Sequence, residues 1–206
     1  MVSMKNLIIF TTLIFLISAI SEAKDYVLVG ISGFGTRKAE NAWQPSGAHE
    51  NLPYKGRILA RHELVHYAKN SELREVLETF ECHKGKQEKE GLGLIIMVNS
   101  WGSGKALNLA KMYQKECGQK IDALYMIDGV AKPIGSFRRE IPAKACRNYY
   151  QTKGMVRGTA QRNCENFDLT KRCEISGYNK GVDCHIYVEW KATEMAADHM
   201  MSTFLN

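Results

Sequence analysis

Leu92-Gly93-Leu94-Ile95-Ile96-Met97-Val98-Asn99-Ser100-Trp101-Gly102-Ser103-Gly104 is the stretch whose reading decides the fold. Leu92 to Val98 is a nearly unbroken apolar run of strand length with no polar alternation, as expected of a central strand covered on both faces. The glycine-containing segment after it makes a sharp turn. Lys105 to Cys117 then carries apolar residues at 107, 109, 110 and 113, the spacing of a helix with one buried face. The unit is strand, tight turn, helix.

The same unit extends in both directions. Downstream, Ile121 to Ile127 is a second apolar strand ending at Asp128-Gly129, and Ala145 to Gln151 reads as a third, more exposed one. Upstream, Asp25 to Ser32 is an apolar run ended by Gly33-Phe34-Gly35, a strand entering a glycine-permissive loop. Ser71, acids in the first turn and apolar residues at 73, 76, 77 and 80 predict a capped amphipathic helix through Phe80. This alternation predicts an α/β fold, a mostly parallel sheet flanked by helices. Residues 153–184, rich in Gly, Asn and Cys, read as a long cross-linked loop, and 189–204 as a closing helix. Residues 36–55 carry no clear pattern, and 56–68 fit either a strand or a helix.

The composition agrees with one globular domain over residues 24–206: 45% of the 206 residues are hydrophobic and 24% charged, with four prolines and no internal repeat. Residues 1–23 differ. Lys5, the apolar stretch Leu7 to Ile20 and the small residues of Ser21-Glu22-Ala23 have the layout of a cleaved secretory signal, a retained N-terminal anchor being the other reading. With the signal removed, no stable membrane span is expected, and the protein would be secreted or periplasmic. The net charge of +6 is dispersed in short pairs such as Arg37-Lys38, Arg138-Arg139 and Lys171-Arg172, which argues against nucleic acid as a partner. Cys82, Cys117, Cys146, Cys164, Cys173 and Cys184 form an even set without a C-x-x-C pair, so an exported chain favours disulfides over zinc. The connectivity is open, with Cys82 and Cys117 expected to pair because both lie late in helices that flank one strand.

Functional groups of an open α/β sheet collect at the carboxyl ends of its strands. Ser100 follows the Leu92 strand, Asp128 ends the next, and His185 lies in the late segment Asp183-Cys184-His185. A serine hydroxyl needs an imidazole to take its proton, and a carboxylate to orient that imidazole, before it becomes a useful nucleophile. These three residues can fill those roles. His199, within the expected closing helix, reads as structural.

Val98-Asn99-Ser100-Trp101-Gly102, set between a buried strand and a helix and followed in order by an acid and a histidine, resembles the nucleophile elbow G-x-S-x-G of the α/β-hydrolase superfamily. The likeness is to its small lipase and esterase members. It covers most of Lys24 to Asn206 as a reduced version without the early strands, and it departs from the motif at Val98. Gly30-Ile31-Ser32-Gly33-Phe34-Gly35 is similar to the family's oxyanion loop. The resemblance implies a serine hydrolase acting on a small-molecule or lipid ester, or a thioester. Ser100 would be its nucleophile, His185 its base and Asp128 its acid; the segment 148–154 offers no alternative carboxylate. Backbone donors at Phe34 and Trp101 would form the oxyanion hole, and no metal or other cofactor is called for.

Two other readings compete. His62-Glu63-Leu64-Val65-His66 spells H-E-x-x-H, which on a helix would present two imidazoles to zinc beside a catalytic glutamate, with His83, Glu88 or Glu90 as candidate third ligand. As part of a strand the same residues lie too far apart for that. The other reading is a catalytically silent binding module on a hydrolase scaffold, suggested by Val98 and the unassigned region.

Overall fold

The computed structural model describes residues 24–33, 48, 52–89, 91–132, 135–178 and 183–206. The signal-peptide reading of residues 1–23 therefore lies outside the described residues, as do Phe34 and Glu90. The elements are β1 (Asp25–Ser32), β2 (Ile58–Val65), α1 (Asn70–Glu78), β3 (Cys82–His83), β4 (Lys86–Gln87), β5 (Leu92–Asn99), α2 (Ser103–Cys117), β6 (Ile121–Ile127), β7 (Ala143–Tyr150), β8 (Glu165–Asp168), α3 (Thr170–Ile175) and α4 (Asp183–Met200). A π-helical turn, Met201–Leu205, extends α4.

Six strands form one sheet in the order β2-β1-β5-β6-β7-β8, every pair parallel; β3 and β4 make a separate hairpin. β5 is buried at all eight positions because both faces of the sheet are covered. Leu94, Ile96 and Val98 pack with Leu73 and Val76 of α1 and Leu107, Ala110 and Tyr113 of α2. Ile95 and Met97 pack on the opposite face with Val188, Ala192, Ala196 and Met200, a stripe at every fourth residue of α4. The chain passes from β1 to β2 on one side, then returns to place β5 on the other side of β1. This reversal opens a crevice at the carboxyl ends of β1 and β5.

The helix expected from Ser71 to Phe80 runs from Asn70 to Glu78; its N-cap is Lys69 rather than Ser71, and the Glu72 carboxylate reaches back to accept the Lys69 N–H at 2.7 Å. The closing helix starts at Asp183 rather than 189, so His185 sits in a helical first turn and not in a loop. Residues 153–184 are not all loop: they contain the edge strand β8 and the short helix α3.

Three disulfides are formed, Cys82–Cys117, Cys146–Cys164 and Cys173–Cys184. The expected Cys82–Cys117 pair is present, with Cys82 in the β3–β4 hairpin rather than at a helix end. Three bridges point to an oxidising environment, extracellular or periplasmic. Among the described residues no helix is long and apolar enough to cross a membrane.

Candidate functional site

The register of the central strands brings the candidate residues together. Asn99 of β5 pairs with Ile127 of β6, so Ser100 and Asp128 leave the sheet side by side. Both turn through the left-handed region, Ser100 with φ +48° and Asp128 with φ +43°, a conformation that L-residues adopt at an energetic cost. Two backbone anchors hold the serine turn: the Val130 N–H donates to the Ser100 carbonyl at 3.1 Å, and the Ser103 hydroxyl donates to it at 2.8 Å.

The turn is also pressed against β1. A Cβ on Gly102 would stand 2.7 Å from the Ile31 carbonyl oxygen and 2.9 Å from Val98 Cγ2, so the chain closes here only without a side chain. Gly33 meets the same limit from the other side, since its Cβ would come within 2.6 Å of Ser100 Cβ. Val98, where the elbow motif has glycine, turns its side chain into the α1–α2 side of the core.

His185 Nε2 lies 3.0 Å from Ser100 Oγ, and His185 Nδ1 lies 2.6 Å from Asp128 Oδ2. Ser100 is 3% exposed, His185 8% and Asp128 fully buried, so the relay is almost dry. Asp128 is held on every side. Oδ1 accepts the backbone N–H groups of Gly158 at 2.6 Å and Gln151 at 3.1 Å, while Oδ2 also accepts the Gln151 side-chain amide at 2.8 Å. These donors fix the position and orientation of the carboxylate. Gln151, just beyond β7, thus supports the acid in a segment that carries no carboxylate of its own.

The imidazole has a further neighbour. Glu189, one turn along α4, places Oε1 3.3 Å from the same Nε2 that faces Ser100. Burial opposes charging of the ring, but hydrogen bonds and charges from Asp128 and Glu189 together outweigh it and raise the His185 pKa to about 10. Sequence reading missed Glu189, Gln151 and Gly158. The i, i+4 spacing of Glu189 from His185 is a visible signal, but only once the helix is begun at Asp183.

Trp101 follows Ser100 within the single 3₁₀ turn Ser100–Gly102 that leads into α2, and its indole packs edge-on against the His66 ring, centroids 5.6 Å apart. The other expected oxyanion donor, Phe34, lies outside the described residues.

The H-E-x-x-H segment is extended rather than helical. His62 and Glu63 belong to β2, and the His66 N–H continues the ladder by donating to the Ser32 carbonyl. Four residues of extended chain span about 13 Å, against about 6 Å in a helix, so the two imidazoles do not form the close pair the motif requires. His66 Nδ1 is instead 3.0 Å from the Gly33 carbonyl oxygen. Among the described residues no three His, Cys, Asp or Glu side chains gather as a metal-binding group. His199 meets the Tyr125 hydroxyl at 2.8 Å, which fits its structural reading.

No protein-family model matches the chain, and no curated protein or solved structure matches it.

Proposed function

We propose that this chain is a serine hydrolase of the α/β-hydrolase type, cleaving an ester or thioester through an acyl-enzyme. The observation that carries the reading is the continuous contact from Ser100 through His185 to Asp128, three residues widely separated in sequence. The strained serine turn at the end of a central strand, opening a long helix, is a second support.

In the proposed reaction Ser100 Oγ attacks the substrate carbonyl carbon while its proton passes to His185 Nε2. Asp128 holds the Nδ1–H and balances the imidazolium charge. The negative charge that develops on the carbonyl oxygen is met by backbone N–H groups of the elbow turn, Trp101 first, with Phe34 as the expected partner. Collapse of this intermediate breaks the bond to the leaving group, which takes the proton from Nε2. Water, activated by the same imidazole, then releases the acid and regenerates Ser100. None of these steps calls for a metal or other cofactor. The disulfides and the apparent leader at 1–23 support action outside the cytoplasm, on a small-molecule or lipid ester; N-terminal sequencing of the exported protein should begin near Lys24.

A fluorophosphonate probe tests the chemistry. The wild-type protein should be labelled at Ser100, and Ser100→Ala should not. A correctly folded wild type that resists labelling across a wide pH range would instead favour a silent binding module.

A further inference from the structure

A groove of about 390 Å³ opens directly beside the elbow. Its inner wall belongs to the nucleophile's own surroundings: Trp101 follows Ser100, Val130 donates its N–H to the Ser100 carbonyl, and His66 is bonded to Gly33, which packs against Ser100. Its outer wall is Lys105, Lys132, Arg138 and Arg139, with no carboxylate among the lining residues. None of these four cations forms an ion pair among the described residues. Lys132 Nζ stands 5.6 Å from the Trp101 ring centre. Burial, and after it the charges of Lys132 and Lys105, push the His66 pKa down despite its bond to Gly33, so this ring adds no further positive charge.

Four cations lining one small groove, none of them ion-paired among the described residues, repel one another, and that repulsion is relieved by an anion. One carboxylate would engage a single guanidinium fork. A tetrahedral phosphate presents enough oxygens for two arginines and the lysines together. We infer that the groove binds a phosphate group carried on the leaving-group side of the substrate, so that the preferred substrate is a phosphate-bearing ester or thioester. This rests on the hydrolase reading above. The phosphate is a handle and is not transformed: the acyl C–O or C–S bond breaks, the acyl group goes to Ser100 Oγ, and the proton on His185 goes to the departing oxygen or sulfur.

The test uses matched pairs on the disulfide-bonded protein. A soluble pair is butyryl-4′-phosphopantetheine against butyryl-pantetheine; a lipid pair is monomeric dihexanoylphosphatidate against dihexanoylglycerol. In at least one pair kcat/KM should favour the phosphorylated member by about tenfold or more, the worth of one or more charge-assisted hydrogen bonds. The pair that shows it identifies the source as a soluble thioester or a lipid. The triple variant Lys132→Ala, Arg138→Ala, Arg139→Ala should collapse that ratio toward one, and because the ratio is internal it is insensitive to partial loss of folded protein. Equal rates within both pairs, or a ratio unchanged in the triple variant, would overturn the inference. Binding of pyrophosphate to Ser100→Ala, read by isothermal titration calorimetry and lost when the three groove substitutions are added, keeps the two readings apart. Pyrophosphate binding without fluorophosphonate labelling of the wild type would retain the anion groove and remove the hydrolase, whereas labelling with no pyrophosphate binding would do the reverse.

Discussion

Glu189 Oε1 and Ser100 Oγ approach the same nitrogen of His185, at 3.3 Å and 3.0 Å. The imidazole therefore sits between two carboxylates, with Asp128 on Nδ1 and Glu189 on Nε2. Both stabilise the protonated ring, which cannot act as a base, but Asp128 leaves Nε2 to the serine while Glu189 competes with Ser100 for it.

The pH dependence follows. In the proposed hydrolase the reaction needs the neutral ring, so activity should climb as pH rises through the His185 pKa and have its acidic limb in the alkaline range, with the resting ring at about 10. Glu189→Gln keeps the shape of the side chain and removes the charge. The limb should then move to lower pH by roughly one unit or more, the size expected for losing an opposite charge at this distance. Rates of fluorophosphonate labelling against pH measure this in both proteins. Superimposable profiles would show that Glu189 does not act on the base.

The same ring couples folding to protons. Its pKa is 6.5 before folding and about 10 after, so the folded state holds a proton that the unfolded chain releases between those values. A raised histidine pKa contributes stability that is fully present below pH 6.5 and is lost as pH rises through about 10. Urea midpoints should fall across this window, and His185→Ala should flatten the fall even though it lowers stability at neutral pH. An identical slope in the variant would assign the effect to other groups.

Close packing at the elbow makes its own demand. Gly102→Ala drives a methyl group against the Ile31 carbonyl oxygen and Val98 Cγ2, so it should destabilise the fold by about 1–3 kcal/mol, the usual cost of overpacking. Gly104, which has nothing within 4 Å of its Cβ position, is the internal control. Gly104→Ala, at an exposed position in the first turn of α2, should hold or raise the thermal midpoint. If both variants melt alike, the close approach of the turn to β1 is not a constraint.

These contrasts also explain how far the sequence could be read. β5 and β6 were legible because burial on both faces makes their runs almost wholly apolar, Asp122 near the start of β6 being an exception held by its own partners, and β6 runs over Ile121–Ile127 as expected. β8, Glu-Asn-Phe-Asp at the sheet edge, was not legible, since one neighbouring strand and solvent impose no apolar pattern. Ser100, Asp128 and His185 could be named from strand ends and chain order. Their support could not: Gln151 and Gly158 reach Asp128 only through the fold, and Glu189 becomes visible only with the correct helix start. The basic groove was hidden for a similar reason. Lys105, Lys132 and the pair Arg138-Arg139 are dispersed along the chain, and the α2 start and the β6–β7 connection bring them together.

At the opposite end of the sheet, Asp122 is a buried carboxylate with a different task. Oδ1 accepts Lys24 Nζ at 2.7 Å and Lys144 Nζ at 2.8 Å, while Oδ2 accepts the Leu94 N–H at 3.1 Å. One side chain thus ties the amino ends of β5 and β7 to the residue preceding β1. Both lysines retain access to water and can be rehydrated when the acid is removed, but the Leu94 N–H is buried and would lose its acceptor. Asp122→Ala should therefore destabilise the protein by about 1–3 kcal/mol, the penalty for an orphaned buried donor. Asp122→Asn, which retains an oxygen for Leu94, should recover part of the loss. High salt should narrow the gap between wild type and Asp122→Asn more than that between Asp122→Asn and Asp122→Ala, because screening weakens the partly exposed ion pairs and leaves the buried hydrogen bond intact. Chemical denaturation of the three proteins in urea at low and high salt separates the contributions. Equal losses in both variants would mean that the lysine pairs, rather than the β5 backbone, make Asp122 structurally necessary.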